Sequence, residues 1–230
     1  MFCLGKPWIK TGQHVLTLTV SVFWAALAPA YFVSGAVDLT KLSDEADIIF
    51  KGTAVETLPL EDAWFQPCNA FLPRQTAFKV ISVLRGEISE STLSFRHYDT
   101  DPDATFMTYM PQHYAFEPGR TYIVFADKVD GAADFRQIWL HHKSKRDQGA
   151  LLCADDEEIT ATSTKDLYWQ ELMVLLESDV PGDVVYAIEQ LDSMSGGSGF
   201  YGGTRDFDRG HVVEEIHRFL QSEIEDIARA

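Results

Sequence analysis

Apolar and polar residues alternate in short runs through the middle of the chain, and the period changes near its end. IIFKGTAVETL, residues 48 to 58, is rich in β-branched and aromatic side chains and predicts a first strand. TAFKVISVLRG, 76 to 86, carries apolar residues on both faces, with Phe78, Val80 and Leu84 opposite Ile81 and Val83. That pattern suits a barrel wall covered on its outside. STLSFRHY, 91 to 98, sets Leu93, Phe95 and His97 against Ser94, Arg96 and Tyr98, which predicts a half-buried strand. TYIVFADK, 121 to 128, and FRQIWLHH, 135 to 142, make a fourth and a fifth, so the pattern predicts a small barrel or sandwich. PLEDAWFQPCNAFLPR, 59 to 74, reads as one long connection between the first two strands.

From about residue 163 the spacing becomes helical. Tyr168, Trp169, Leu172, Leu175 and Leu176 follow a Ser163 and Asp166 pair with the form of a capping box. Pro181 opens a second stripe of Val184, Val185, Ile188 and Leu191 that stops at Gly196-Gly197. Val212, Val213, Ile216, Phe219, Leu220, Ile224 and Ile227 make a third. The expected fold class is α+β: an export signal over 1–36, a five-stranded barrel over 37–153, an acidic linker over 154–165 and three amphipathic helices over 166–230.

The export signal rests on composition. Residues 1–36 contain Lys6, Lys10 and no acid, and from Val15 to Ala36 the chain is uncharged. Ala28-Pro29-Ala30 and Ser34-Gly35-Ala36 both offer small-residue cleavage patterns, and an uncleaved membrane anchor is the alternative, because a span needs about 20 apolar residues. Either reading places the remainder outside the cytoplasm, periplasmic or secreted. Removing 1–36 takes away two lysines and no acid, so the formal charge moves from -16 to -18. Such a chain repels phosphate backbones, and nucleic acid is excluded as an expected partner.

Of three cysteines, Cys3 falls inside the signal, leaving Cys68 and Cys153. In an oxidising compartment an even pair predicts a disulfide; two buried free thiols are the alternative.

With the strands in place, DEADIIFKGTAVE, FKVISVLRGEI and FEPGRTYIVFA resemble the successive strands of netrin-like barrels, the family of the tissue inhibitors of metalloproteinases. The resemblance covers residues 43 to about 153. It implies a five-stranded oligonucleotide/oligosaccharide-binding (OB) type of barrel and an exported binding module. The protease inhibition known in that family needs an amino-terminal cysteine, and neither Tyr31 nor Val37, the two possible mature ends, supplies one. The C-terminal stripes resemble HEAT-type helix pairs, although three helices are too few to establish a solenoid.

Candidate chemistry is sparse. Asp99, Asp101 and Asp103 alternate as in a calcium loop, but Ala104 and Met110 replace the glycine and glutamate that such a loop requires. GGSGFYGGT, 196 to 204, has the glycine spacing of a phosphate loop but lacks its lysine and the preceding strand. His141 and His142 fall on opposite strand faces, and Glu214 with His217 forms a single Glu-x-x-His, which two-metal bundles use twice. No cofactor is expected.

What remains is an aromatic set at one barrel end, Trp64, Phe65, Phe71, Met107, Tyr109 and Tyr114, residue types enriched at protein interfaces; the alternative is that these residues cover the barrel end or pack on the helices. The expected function is an exported, non-enzymatic module that binds a protein partner in the envelope. The alternative is an envelope enzyme or metal-dependent protein with a dispersed site. In this reading Arg120, in the turn FEPGR, is solvated.

Overall fold

The Phe-x-x-Gly-x-x-Tyr stretch shows how local sequence makes this architecture. In the computed structural model, Gly119 adopts φ +86°, a left-handed conformation that a side chain disfavours, and its amide donates to the Ala54 carbonyl at 2.7 Å. The turn delivers Phe116 and Tyr122 to the same interior, where their rings meet edge to face at 4.9 Å. The Tyr122 hydroxyl accepts from the Glu117 amide at 3.0 Å, satisfying a donor that the turn leaves over. Gly86 ends the Leu-Arg-Gly strand with φ +79°, and a Cβ there would lie 2.7 Å from the Asp47 carbonyl oxygen. The glycine lets this turn pack on the start of the first strand.

The structure describes residues 38–65, 71–101, 113–130, 134–138, 149–196 and 203–229, with side chains to 222. Within them the elements are α1 (Leu39–Glu45), β1 (Ile48–Pro59), β2 (Phe71–Arg85), β3 (Thr92–Thr100), β4 (Thr121–Lys128), β5 (Phe135–Gln137), β6 (Ala150–Cys153), α2 (Thr164–Leu176), α3 (Pro181–Met194) and α4 (Arg209–Arg229). Strands run in the order β1-β2-β3-β5-β4, and β4 pairs again with β1 to close a five-stranded barrel, compatible with an OB-like fold. All pairings are antiparallel except β3 with β5. Three register shifts between β1 and β2 supply the bending that closure demands. Among the described residues no helix is long and apolar enough to cross a membrane.

Among the described residues β5 ends at Gln137, with Ile138 outside the strand, and three further elements differ from the sequence expectation. The polar stretch after residue 37 forms α1, capped by Asp38, whose carboxylate accepts from the Lys41 amide at 2.8 Å. β2 begins at Phe71, five residues earlier than its apolar pattern predicts, because Phe71 pairs with Thr100 and is buried. β6 continues the edge of β4 beyond β5, and its four residues are too few for periodicity to reveal. Ser163 accepts from the Asp166 amide and Pro181 sits in the first turn of α3, both as predicted.

The barrel wall is apolar on both sides, because it divides two cores. Inside lie Ile48, Phe50, Phe78, Leu93, Phe95, Tyr122 and Val124. Outside, Ile49, Ile123, Phe125 and Leu151 pack against Leu167, Leu172, Leu175 and Leu191 of the helices. The helices therefore share a core with the barrel. The segment read as an acidic linker is docked on the barrel too: the Ile159 amide donates to Ser82 Oγ at 3.1 Å and Asp155 receives Lys51. Arg120 is not left to solvent, for its guanidinium donates to Asp183 at the start of α3 at 2.7 Å.

Candidate functional site

β3 alternates as its sequence predicts, so Phe95 and His97 enter the barrel while Arg96 stands outside. There Arg96 is gripped by two carboxylates. Its Nη1 donates to Asp62 at 2.7 Å and its Nε to Asp134 at 3.1 Å, and Nη2 also reaches Asp134. The Asp134 bond, then the Asp62 bond, outweigh burial and hold the guanidinium above its usual pKa. Asp62 also accepts the Trp64 amide at 2.9 Å, and this bond, followed by the bonds to Arg96, holds its carboxyl below the usual range.

Those bonds fix the connection that carries the predicted aromatic residues. Phe65 is buried and meets Tyr98 edge to face at 4.8 Å; Phe71 is buried with it. Tyr114 is buried too, its amide donating to the Tyr98 carbonyl at 2.8 Å. The exposed-surface expectation is corrected at Phe65, Phe71 and Tyr114, which are buried as the alternative reading has it, because burying these rings outweighs displaying them. Trp64 is the exception. It is half-buried, packs on Phe65 at 4.6 Å and lies against the Arg136 guanidinium, 4.8 Å from the ring centroid. Met107 and Tyr109 lie outside the described residues.

The disulfide expectation is corrected as well. Cys153 is a free thiol, 2% exposed, facing the core beneath α2. Burial pushes its pKa up, so it behaves as a small apolar residue. Cys68 lies outside the described residues. Of the calcium candidates, Asp103 also lies outside; Asp99 accepts from the next amide, that of Thr100, at 2.7 Å. Among the described residues no group of three or more histidines, cysteines or carboxylates is placed to hold a metal.

Among the buried polar positions whose partners sequence reading missed are Lys51 and His97. Lys51, 2% exposed, donates to Glu171 at 2.6 Å and Asp155 at 3.0 Å. Nothing in IIFKGTAVETL marks it, because a lysine at a β-strand position is ordinarily solvent-facing. His97 is fully buried between Thr76 Oγ1 and the Tyr98 carbonyl. Its inward parity was legible; its partners were not.

Asp127 is a further perturbed carboxyl. Burial, then the Asp47 carboxylate, raises its pKa from 3.8 to about 6. The folded state binds this proton more tightly than the unfolded chain, so the group costs stability above pH 6 and the cost fades as pH falls toward 3.8. Asp127→Asn is expected to gain roughly 1 kcal/mol at pH 7 after allowance for solvent screening, and little at pH 4. Urea unfolding at the two pH values checks this; an equal gain at both would show that the carboxyl is not strained.

The rim around Trp64 thus combines an indole, a guanidinium and fixed carboxylates, with no nucleophile and base in contact among the described residues. No family model matches the chain, and no curated protein matches it either.

Proposed function

We propose that this chain is an exported, non-enzymatic module of the netrin-like type, which binds a protein partner in the cell envelope through the barrel rim centred on Trp64. The uncharged run from Val15 to Ala36 supports export, and the closed barrel order is compatible with the OB type that the netrin resemblance implies. The observation that carries the reading is how Trp64 is held. Its neighbours Phe65 and Tyr98 are buried as foundation, its amide is pinned by Asp62, and one side of its indole is backed by Arg136.

A rigid, half-exposed tryptophan beside an arginine has the make-up of a binding hot spot, where little side-chain entropy is lost on contact. Met107 and Tyr109 belong to the connection between Asp101 and His113, whose described ends meet Phe71: Thr100 by strand pairing and His113 by a ring contact at 4.7 Å.

Trp64→Ser is expected to abolish crosslinking to the partner in intact envelopes while shifting stability by only about 1 kcal/mol, since the indole is half-buried already. Crosslinking with mass spectrometry, beside a thermal melt, makes the measurement. Undiminished crosslinks from a folded variant would remove this surface from consideration.

A further inference from the structure

A second feature uses none of the residues around Trp64. α4 is anchored to the body through its first two turns. Val212 is buried in the outer core and Ile216 packs on its border. Arg209 reaches Asp192 of α3 at 3.1 Å, and His211 stacks on Trp169 of α2 with centroids 4.8 Å apart. Past Ile216 the polar contacts of the described side chains stay within the helix: Arg218 pairs with Glu215, and Ser222 Oγ donates to the Phe219 carbonyl at 2.8 Å. Yet the helix runs on to Arg229, 21 residues in all, a length of about 31 Å.

A second apolar stripe lies beside the anchored one. Val213 and Leu220 stand about 100° and 80° around the helix from Val212, and they are 56% and 47% exposed. The same period sets Ile224 and Ile227 in line with them, and Ile216 at the edge that both stripes share. A single exposed valine needs no explanation, but a row of apolar positions along one helix does. An amphipathic helix draws most of its stability from packing its apolar face.

We infer that this stripe pairs with its own copy, two α4 helices lying antiparallel across a twofold axis at Leu220. The spacing is palindromic. Val213 and Ile227 fall seven residues either side of Leu220, and Ile216 and Ile224 fall four. The axis therefore sets Val213 against Ile227, Ile216 against Ile224 and Leu220 against itself, the self-complementarity that an isologous contact requires. Charge selects the direction. The first half of α4 holds Arg209, His211, His217 and Arg218 beside Glu214 and Glu215, whereas the second holds Glu223, Glu225 and Asp226 beside Arg229. Antiparallel pairing lays the acidic half of each copy along the balanced half of the other and opposes the two helix dipoles; parallel pairing would set acid against acid. An anionic lipid surface suits the stripe poorly, because such surfaces attract helices rich in lysine and arginine, and α4 carries five acids to three arginines and no lysine.

Sedimentation equilibrium of the full chain over about 1 to 100 µM tests the pairing. The expected result is a reversible monomer–dimer equilibrium that Leu220→Glu weakens about 100-fold or more and Val213→Glu about tenfold or more. Circular dichroism checks that both variants keep the parent's fold, and Trp64→Ser should leave the equilibrium unchanged. Direction is read from cysteine linking under mild oxidation, with the parent's own cysteines setting the background. Leu220→Cys should link to itself. Val213→Cys should link to Ile227→Cys but not to itself, because the two copies of residue 213 lie about 21 Å apart along an antiparallel pair, too far for a disulfide. A chain still monomeric at about 100 µM, a dimer that both glutamate variants leave intact, or a Val213→Cys chain that links to itself would each overturn the inference.

Discussion

Lys51→Met is expected to lower stability by about 3–5 kcal/mol, and Lys51→Met/Glu171→Met to recover most of that loss. Lys51 leaves β1 through the outer face of the barrel and ends against α2, with Nζ 2.6 Å from Glu171 and 3.0 Å from Asp155. Burial pulls the ammonium's pKa down, but the bonds to Glu171 and Asp155 outweigh it and hold the pKa above 10.5. Removing only the lysine leaves a Glu171 carboxylate that is 7% exposed and has lost its counter-charge. That uncompensated charge, more than the lost attraction, is what destabilises the single variant. Replacing both partners with methionine removes the charge and refills the volume. For a domain of this size the single variant's melting point should fall on the order of 10 °C. A single variant that melts with the parent, or a double variant no better than the single, would mean that water reaches the pair.

The same pair bears on how the helices relate to the barrel. Lys51, Asp155 and Glu171 come from β1, the segment after β6 and α2; Lys51 and Glu171 are buried, and Asp155 reaches the pair from a partly exposed position. Barrel and helices should then unfold in one transition, which the same melts will show.

What was legible in the sequence was whatever repeats. The alternation over TLSFRHY, the double-faced run TYIVFADK and the stripes after Ser163 each repeat a period several times, so β3, β4 and the helices emerged. β6 and α1 span four and seven residues, no more than two periods of signal. The site was harder to read because its determinants are partners distant in sequence. Arg120 in an exposed-looking turn meets Asp183, 63 residues away, and Arg96 meets Asp62 and Asp134 from two separate connections. The aromatic residues near the barrel end were found by composition, but composition does not tell a ring that seals a barrel from one that is displayed. Phe65 and Trp64 are adjacent in sequence, yet one is buried and the other only half-buried.

His97 should make the protein acid-sensitive in a defined window. The ring stacks on Phe95 with centroids 5.6 Å apart and meets Phe116 edge to face at 4.9 Å. Nδ1 lies 3.0 Å from the Tyr98 carbonyl, an acceptor, so this nitrogen carries the hydrogen of the neutral ring. Nε2 then accepts from Thr76 Oγ1 at 2.7 Å, and Thr76 accepts from Thr57 at 2.8 Å. Burial among these rings lowers the imidazole pKa from 6.5 to about 4, against the pull of the Tyr98 carbonyl and with a smaller push from Arg74. The unfolded chain therefore takes up the proton first. Stability is intact above pH 6.5 and is lost as pH falls from 6.5 toward 4, by roughly 3 kcal/mol in all. Carboxylates also titrate below pH 6, and Asp127 works in the opposite direction, so the parent must be compared with His97→Phe, in which those groups are unchanged. The parent's stability relative to the variant should fall by roughly 3 kcal/mol between pH 7 and pH 4. An offset that stays constant with pH, or a His97 imidazole resonance that titrates near 6.5 in the folded protein, would show that the ring is charged within the barrel.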